Sequence, residues 1–381
     1  RERAAYLLKV ADLVKQNAKH LAELESRDAG HTSRMSKGAD IGMVISTFRV
    51  FAEIAGKEAD EQPLPRNPGS TNYVRYDPIG VCAAITPWNF PIQMAAWKIA
   101  PAIAAGNTVV IKPANLAPLT TIEVGRLCME AGIPNGVVNV LPGTGAKAGE
   151  PLVASPLVDK VAFTGSTEVG RRIMELSASN IKKVTLELGG KSAAIVLDDV
   201  NLDYAVDGAL WGIFFHSGQV CSAGTRLLVQ RGIYDDFIAE LAKRAEGIRV
   251  GPAMDPASDM GPVISEGQLQ TIERYVEITM PMSAPLDIRV VWPASRDSSS
   301  ARCFAFCLTR SATLSKYAAR SRPFILGQGP SSKAVRAARM ARSTSSLWAL
   351  ATVANGSPVE GSMVSNVSPD AALVDSPSMS S

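Results

Sequence analysis

The sequence predicts an α/β protein: a doubly wound parallel sheet of the dinucleotide-binding type, joined to an incomplete second α/β domain. Three observations carry this expectation. Between residues 79 and 200, short apolar runs alternate with helical stretches. Most of the runs begin about 25 residues apart, enough for a strand, a crossover helix and a second parallel strand. The runs are apolar on both faces, as in strands covered by helices on either side.

The elements follow in order. Leu7, Val10, Ala11, Val14, Ala18 and Leu21 form a helical stripe, so residues 2–27 read as one amphipathic helix. A second helix is expected near 38–55. The stretch DEQPLPRNPGSTNYVRYDPIG (60–80) is rich in Pro, Asn and Gly and reads as turns with short extended pieces. Its 60–78 portion suits an interaction arm. Strands are expected at VCAAIT (81–86), NTVVIK (107–112), GVVNVL (136–141), KVAFT (160–164), KVTLEL (183–188) and AAIVL (193–197). Helices at 91–105, 117–131 and 166–179 lie between them. Helices at 203–216 and 231–248 flank a strand at 225–230. This divides the chain into a cofactor-binding domain (1–186), a partial catalytic domain (187–278) and an atypical tail (279–381).

The tail differs in kind. Residues 281–381 hold 21 serines, nine arginines and one glutamate. No helical or strand period persists there, and such a segment buries too little apolar surface to offset its ordering entropy. The expectation is disorder. A composition so unlike the body also suits translation in the wrong frame.

Bulk properties exclude several function classes. A 381-residue chain with 46% hydrophobic and 20% charged residues fits a globular protein of two or three domains. The net charge of +3 comes from the tail, where 11 Lys+Arg face 5 Asp+Glu; residues 1–280 hold 28 and 31. The body therefore gives no sign of a nucleic-acid partner. The apolar tract at 91–106 carries Lys98 and two prolines and is too short for a membrane span. Five cysteines (82, 128, 221, 303, 307) show no metal-ligand spacing, which suits a reducing compartment such as the cytoplasm; no metal site is expected. The opening RERAAYLLKV has no signal-peptide core, and a start inside a longer protein is expected.

Candidate chemistry lies at strand ends, where open α/β sheets hold their ligands. FFHSGQVCSAGTR (214–226) sets Cys221 between Gly218 and Gly224, which let the chain turn on both sides of a thiol. Alone, a lone cysteine is more often core than nucleophile. His216 stands five residues before it, a spacing that points the two to different faces and disfavours a Cys–His protease pair. VTLELGGKS (184–192) ends a strand with Glu187, and ITPWNFP (85–91) places Asn89 between two aromatics. A thiol, a carboxylate and a carboxamide together make an acyl-transfer set. Two segments could receive phosphates, and a third, KPAN, leaves its strand toward the same edge. PGTGAKAG (142–149) also reads as a plain turn. FTGSTEVG (163–170) puts Ser166 where it can cap a helix, with or without an anion. KPAN (112–115) carries Lys112, which also reads as a surface lysine.

Taken in order, TPWNFP, KPA, FTGSTEVG, LELGGKS and FFHSGQVCSAGTR make residues 1–278 resemble the NAD(P)-dependent aldehyde dehydrogenase superfamily. The resemblance implies oxidation of an aldehyde to a carboxylic acid. Cys221 would be the nucleophile, and the Asn89 amide with the Cys221 N–H would form the oxyanion hole. Glu187 would be the general base, with a pKa raised by partial burial. The resemblance also implies NAD as cofactor, with NADP admitted. Contacts to it would come from Ile85, Thr86, Pro87 and Trp88; from Lys112, Ala114, Asn115 and Gly145; from Phe163, Thr164, Gly165, Ser166 and Val169; and from Leu188 and Gly189. Family members form homo-oligomers.

Two departures from the family pattern stand out. Asn115 occupies the position where many NAD-preferring members carry a ribose-binding glutamate. The downstream Glu-x-Phe-Gly-Pro segment is absent; around 318 the chain reads SKYAARSRPFILGQGP. The alternatives are therefore a catalytically impaired fragment of this family, or a cysteine-dependent esterase.

Overall fold

A computed structural model describes residues 1–57, 61–63 and 69–279. Residues 60 and 64–68 of the 60–78 arm and nearly all of the expected tail lie outside the described residues, as do Cys303 and Cys307. In chain order the elements are α1 (Glu2–Gln16), α2 (Ala18–Ala29), α3 (Ser33–Met35), α4 (Ile41–Lys57), β1 (Glu61–Pro63), β2 (Tyr73–Arg75), β3 (Val81–Ile85), α5 (Pro91–Ala104), β4 (Thr108–Lys112), α6 (Leu119–Glu130), β5 (Val138–Val140), α7 (Glu150–Ala154), β6 (Lys160–Gly165), α8 (Thr167–Ser177), β7 (Lys183–Leu188), β8 (Ala193–Val196), α9 (Leu202–Phe214), β9 (Arg226–Val229), α10 (Tyr234–Glu246) and α11 (Glu266–Thr279).

β3 to β7 form one parallel sheet in the order β5-β4-β3-β6-β7. The chain winds outward from β3 to β5, returns across β3, and winds the other way through β6 and β7. Between β3 and β6 the winding reverses, which opens a crevice at the carboxyl ends of the strands. The expected doubly wound sheet is present.

Alternation along the strands sorts the core onto the two faces. Ala84, Val109 and Ile111 face a core shared with α1, α2, α4, α5 and α6. Ala83, Ile85, Val161 and Phe163 face a second core with Val153 of α7 and Ile173 of α8. α5 begins at Pro91, where the missing N–H costs nothing, and is buried along most of its length. β8 and β9 pair in parallel and pack with α9 and α10 in a third core.

Two expectations change. The single helix over 2–27 is split at Asn17, whose side-chain amide donates at 2.9 Å to the Leu13 carbonyl that its own backbone N–H also reaches at 3.0 Å. The helix expected from 38 begins at Ile41, after a π turn over Ser36–Asp40. α11 had no counterpart in the sequence reading. Among the described residues, no helix is long and apolar enough to cross a membrane.

Candidate functional site

Strand register sets the expected cofactor residues side by side. Ile85 pairs with Lys112 on one side and with Phe163 on the other. Thr164 pairs with Glu187, and Gly165 with Leu188. Segments far apart in sequence thus end on neighbouring rungs of the crevice edge.

Local chemistry shapes this edge for a ligand. Thr86 and Thr164, just past or at the ends of the two central strands, carry buried hydroxyls with no hydrogen-bond partner. Unpaired buried hydroxyls at a switch point suit a polar ligand. Ser166 caps α8, its Oγ accepting from the Val169 N–H at 3.3 Å, and the helix presents its amides there. A Cβ on Gly165 would lie 2.5 Å from the Phe163 ring, so that position needs glycine. Lys112 is buried; its Nζ donates to the Pro113 and Gly143 carbonyls at 2.6 and 3.2 Å. Burial lowers its pKa, yet one of its three donors is left over. Its stem packs against Gly149, beside Ile85. Ala114 is buried, Asn115 and Gly145 are exposed, and Pro87 and Trp88 are half-buried. Gly189 has open space around its Cα, and Leu188 covers Gly170. These residues fit a dinucleotide.

The second cluster surrounds the cysteine loop. Cys221 is a free, exposed thiol. Asn89, between β3 and α5, donates from Nδ2 to the Gln219 carbonyl at 2.7 Å, two residues before the thiol. A Cβ on Gly190 would touch the Cys221 carbonyl at 3.4 Å, so the segment after Glu187 lies against the same loop. Asn89 and the Glu187 segment are therefore both brought to Cys221. The expected burial of Glu187 is not found: it stands exposed, because alternate β7 residues turn outward at the sheet edge. Lys98 is half-buried nearby; burial lowers its pKa and the Glu187 charge partly restores it.

The loop is strained. His216 and Ser217 have φ of 54° and 58°, the left-handed region, at on the order of 1–2 kcal/mol each for non-glycine residues. Ser217 Oγ donates to the Gly261 carbonyl at 2.6 Å and His216 Nε2 to the Asn89 carbonyl at 2.7 Å, which hold the bend.

The sequence reading missed a buried group behind Asn89. Glu25, His31 and Asp40 bring ligating atoms within 4.8 Å of one another. Glu25 accepts from the Ile92 N–H at 3.3 Å and the Thr120 hydroxyl at 2.5 Å; His31 meets Asp40 at 2.6 Å and the Asn89 carbonyl at 2.8 Å. These protein contacts already occupy the donor atoms. Burial pulls the His31 pKa down, but the Asp40 charge and hydrogen bond, the Glu25 charge and the Asn89 carbonyl together raise it. Burial, then the neighbouring His31, holds His216 well below the usual histidine range. The one signal in the sequence was His31 directly after Gly30, the left-handed C-cap of α2.

Comparison with known proteins gives concordant matches. The model of the aldehyde dehydrogenase family matches residues 1–286. The chain is 47% identical over 286 residues to betaine aldehyde dehydrogenase of Bacillus subtilis (strain 168), covering 75% of this chain and 58% of that one. It is 45% identical over 287 residues to retinal dehydrogenase 2 of Homo sapiens, covering 75% and 55%. The crystal structure of PnpE from Pseudomonas sp. WBC-3 superposes with a TM-score of 0.76 at 43% identity, over 81% of this chain and 63% of that one. The NAD+ complex of an aldehyde dehydrogenase from Bacillus cereus superposes with a TM-score of 0.75 at 39% identity, over 81% and 61%. The chain spans little more than half the length of the curated relatives it matches.

Proposed function

Because this chain belongs to the aldehyde dehydrogenase family, we propose that its site oxidises an aldehyde to a carboxylic acid through a thioester on Cys221, with NAD as cofactor. The observation that carries this is the meeting of the Asn89 amide with the loop of an exposed Cys221, beside the carboxyl ends of β3 and β6.

The Cys221 thiolate attacks the aldehyde carbon. The second N–H of the Asn89 side chain and the backbone N–H of Cys221 receive the developing oxyanion, each worth about 3 kcal/mol when aimed at it. NAD, when bound, supplies the hydride acceptor that carries the adduct to the thioester. Glu187 then takes a proton from the water that hydrolyses it; its exposed place gives water ready access. Lys112, Ser166 and the α8 amides would hold the ribose and pyrophosphate. Exposed Asn115 carries no charge, so it repels a 2′-phosphate less than a carboxylate would and admits NADP.

The same proposal assigns residues 1–186 to cofactor binding and 187–278 to part of the catalytic domain. The arm at 60–78 would join copies of the chain, and the described free thiols suit a reducing compartment such as the cytoplasm.

The test mixes purified chain, a short aldehyde and NAD, and follows NADH absorbance. Steady NADH production that disappears in Cys221→Ser is expected. Turnover that persists in Cys221→Ser sinks the covalent mechanism. A second reading, a family member whose turnover is impaired, is favoured by the match ending at residue 286. A folded sample that binds NAD but makes no NADH would select it.

A further inference from the structure

We infer that His31, Asp40 and His216 form a positioning unit that fixes the backbone carbonyl of Asn89, and so aims its side-chain amide beside Cys221. This rests on the proposed role of Asn89 at the oxyanion.

Two imidazoles converge on one oxygen. His31 Nε2 lies 2.8 Å and His216 Nε2 2.7 Å from the Asn89 carbonyl. A peptide carbonyl can only accept, and it has two lone pairs, so both Nε2 atoms carry hydrogen.

The far side of His31 is also fixed. Its Nδ1 lies 2.6 Å from Asp40 Oδ2, and both side chains are 2% exposed. An ionised Asp40 can only accept, so Nδ1 must carry a proton as well. If Asp40 is protonated instead, it donates to Nδ1. In both arrangements the pair holds one proton beyond a neutral imidazole with an ionised carboxylate. The Asp40 charge favours this extra proton, and so does the Glu25 charge above about pH 7, where that buried carboxyl ionises. His216, pressed against that pair, stays neutral as its Nε2–H tautomer.

The consequence is mechanical. His31 follows the C-cap of α2, Asp40 closes the π turn before α4, and His216 belongs to the bend that leads to Cys221. One carbonyl therefore ties the N-terminal helices to the cysteine loop. The Nδ2 of the same residue bonds that loop again at Gln219. The amide and the thiol move as one, which keeps constant the separation that acyl transfer depends on. These three residues act through Asn89 and touch no substrate.

Two measurements test the inference. The chain has three histidines (His20, His31 and His216), so imidazole-nitrogen NMR of the full chain can resolve each. His216 should remain a neutral Nε2–H tautomer through the ordinary histidine range, and Asp40→Asn should remove the extra proton that the His31–Asp40 pair holds. An Nδ1–H tautomer of His216, which leaves Nε2 with no hydrogen to give the Asn89 carbonyl, overturns the inference without any need for activity. The second measurement is acylation of Cys221 by p-nitrophenyl acetate without cofactor, which needs the thiol and the oxyanion donors but no hydride acceptor. His216→Leu should slow acylation about tenfold or more with little change in KM, and His216→Asn, which keeps a donor, should recover to within about threefold of wild type. A wild-type rate for His216→Leu beside a slow Asn89→Ala overturns the inference and leaves the proposed mechanism standing. A wild-type rate for Asn89→Ala removes the oxyanion role and the inference with it.

Discussion

Glu25 is fully buried, yet its two oxygens are occupied only by the Ile92 N–H and the Thr120 hydroxyl. Burial pushes its carboxyl up to about 7, with His31 opposing the rise and Asp40 adding to it. The folded pKa lies above the unfolded one, so the folded state holds more protons between the ordinary carboxylate range and 7. The stability this provides is present at low pH and is lost as pH rises through that window, by at most about 1.4 kcal/mol per pH unit for one proton. Melting temperature should therefore fall between about pH 5 and about pH 7, and Glu25→Gln should flatten that fall. Thermal melts across the range decide it; an unchanged slope in the variant would place the titration elsewhere.

Two joins between elements are sensitive at the crevice. Ser166 takes one of the first amides of α8, so Ser166→Ala should cost about 1 kcal/mol in denaturant unfolding. One residue earlier, β6 ends against its own Phe163. A methyl on Gly165 would meet a ring held in the core, and Gly165→Ala should cost about 1–3 kcal/mol because the ring must turn out of its packing. That variant should also weaken NAD binding, read by nicotinamide quenching of protein fluorescence, since Phe163 and Ser166 lie on one edge. A fully wild-type variant would mean that the ring gives way freely.

Across the molecule, the segment from Arg249 to Ile264 joins the cysteine loop to the N-terminal helices. Gln219 Oε1 accepts from the Ile264 N–H at 3.0 Å, Ser217 reaches Gly261, Ser33 N–H donates to the Ala253 carbonyl at 2.8 Å, and Arg34 pairs with Asp259 at 3.1 Å. At the centre a Cβ on Gly261 would overlap the Gly30 carbonyl oxygen, and backbone cannot step aside as a side chain can. Gly261→Ala should lower stability by about 1–3 kcal/mol and also slow acylation of Cys221, because Gly30 leads into His31. Loss of stability with acylation unchanged would show that the contact is structural alone.

Much of the architecture was legible because its signals are local. Apolar runs of strand length, separated by helical stripes, mark the parallel sheet, and the motifs sit at strand ends where period 2 gives way to turns. Ser166 was readable as a cap and Cys221 as a thiol flanked by glycines for the same reason. Other features depend on partners far apart in the chain. His31 and His216 meet at the Asn89 carbonyl from 58 and 127 residues away. Their spacing to Asn89 follows no helical or strand period, so no pattern along the chain announces the meeting. The exposure of Glu187 likewise follows from β7 lying at the sheet edge. By itself the sequence determined which segments become strands and which side chains stand at their ends; tertiary structure alone decided which of those ends face one another, because burial and hydrogen bonding act through space and not along the chain.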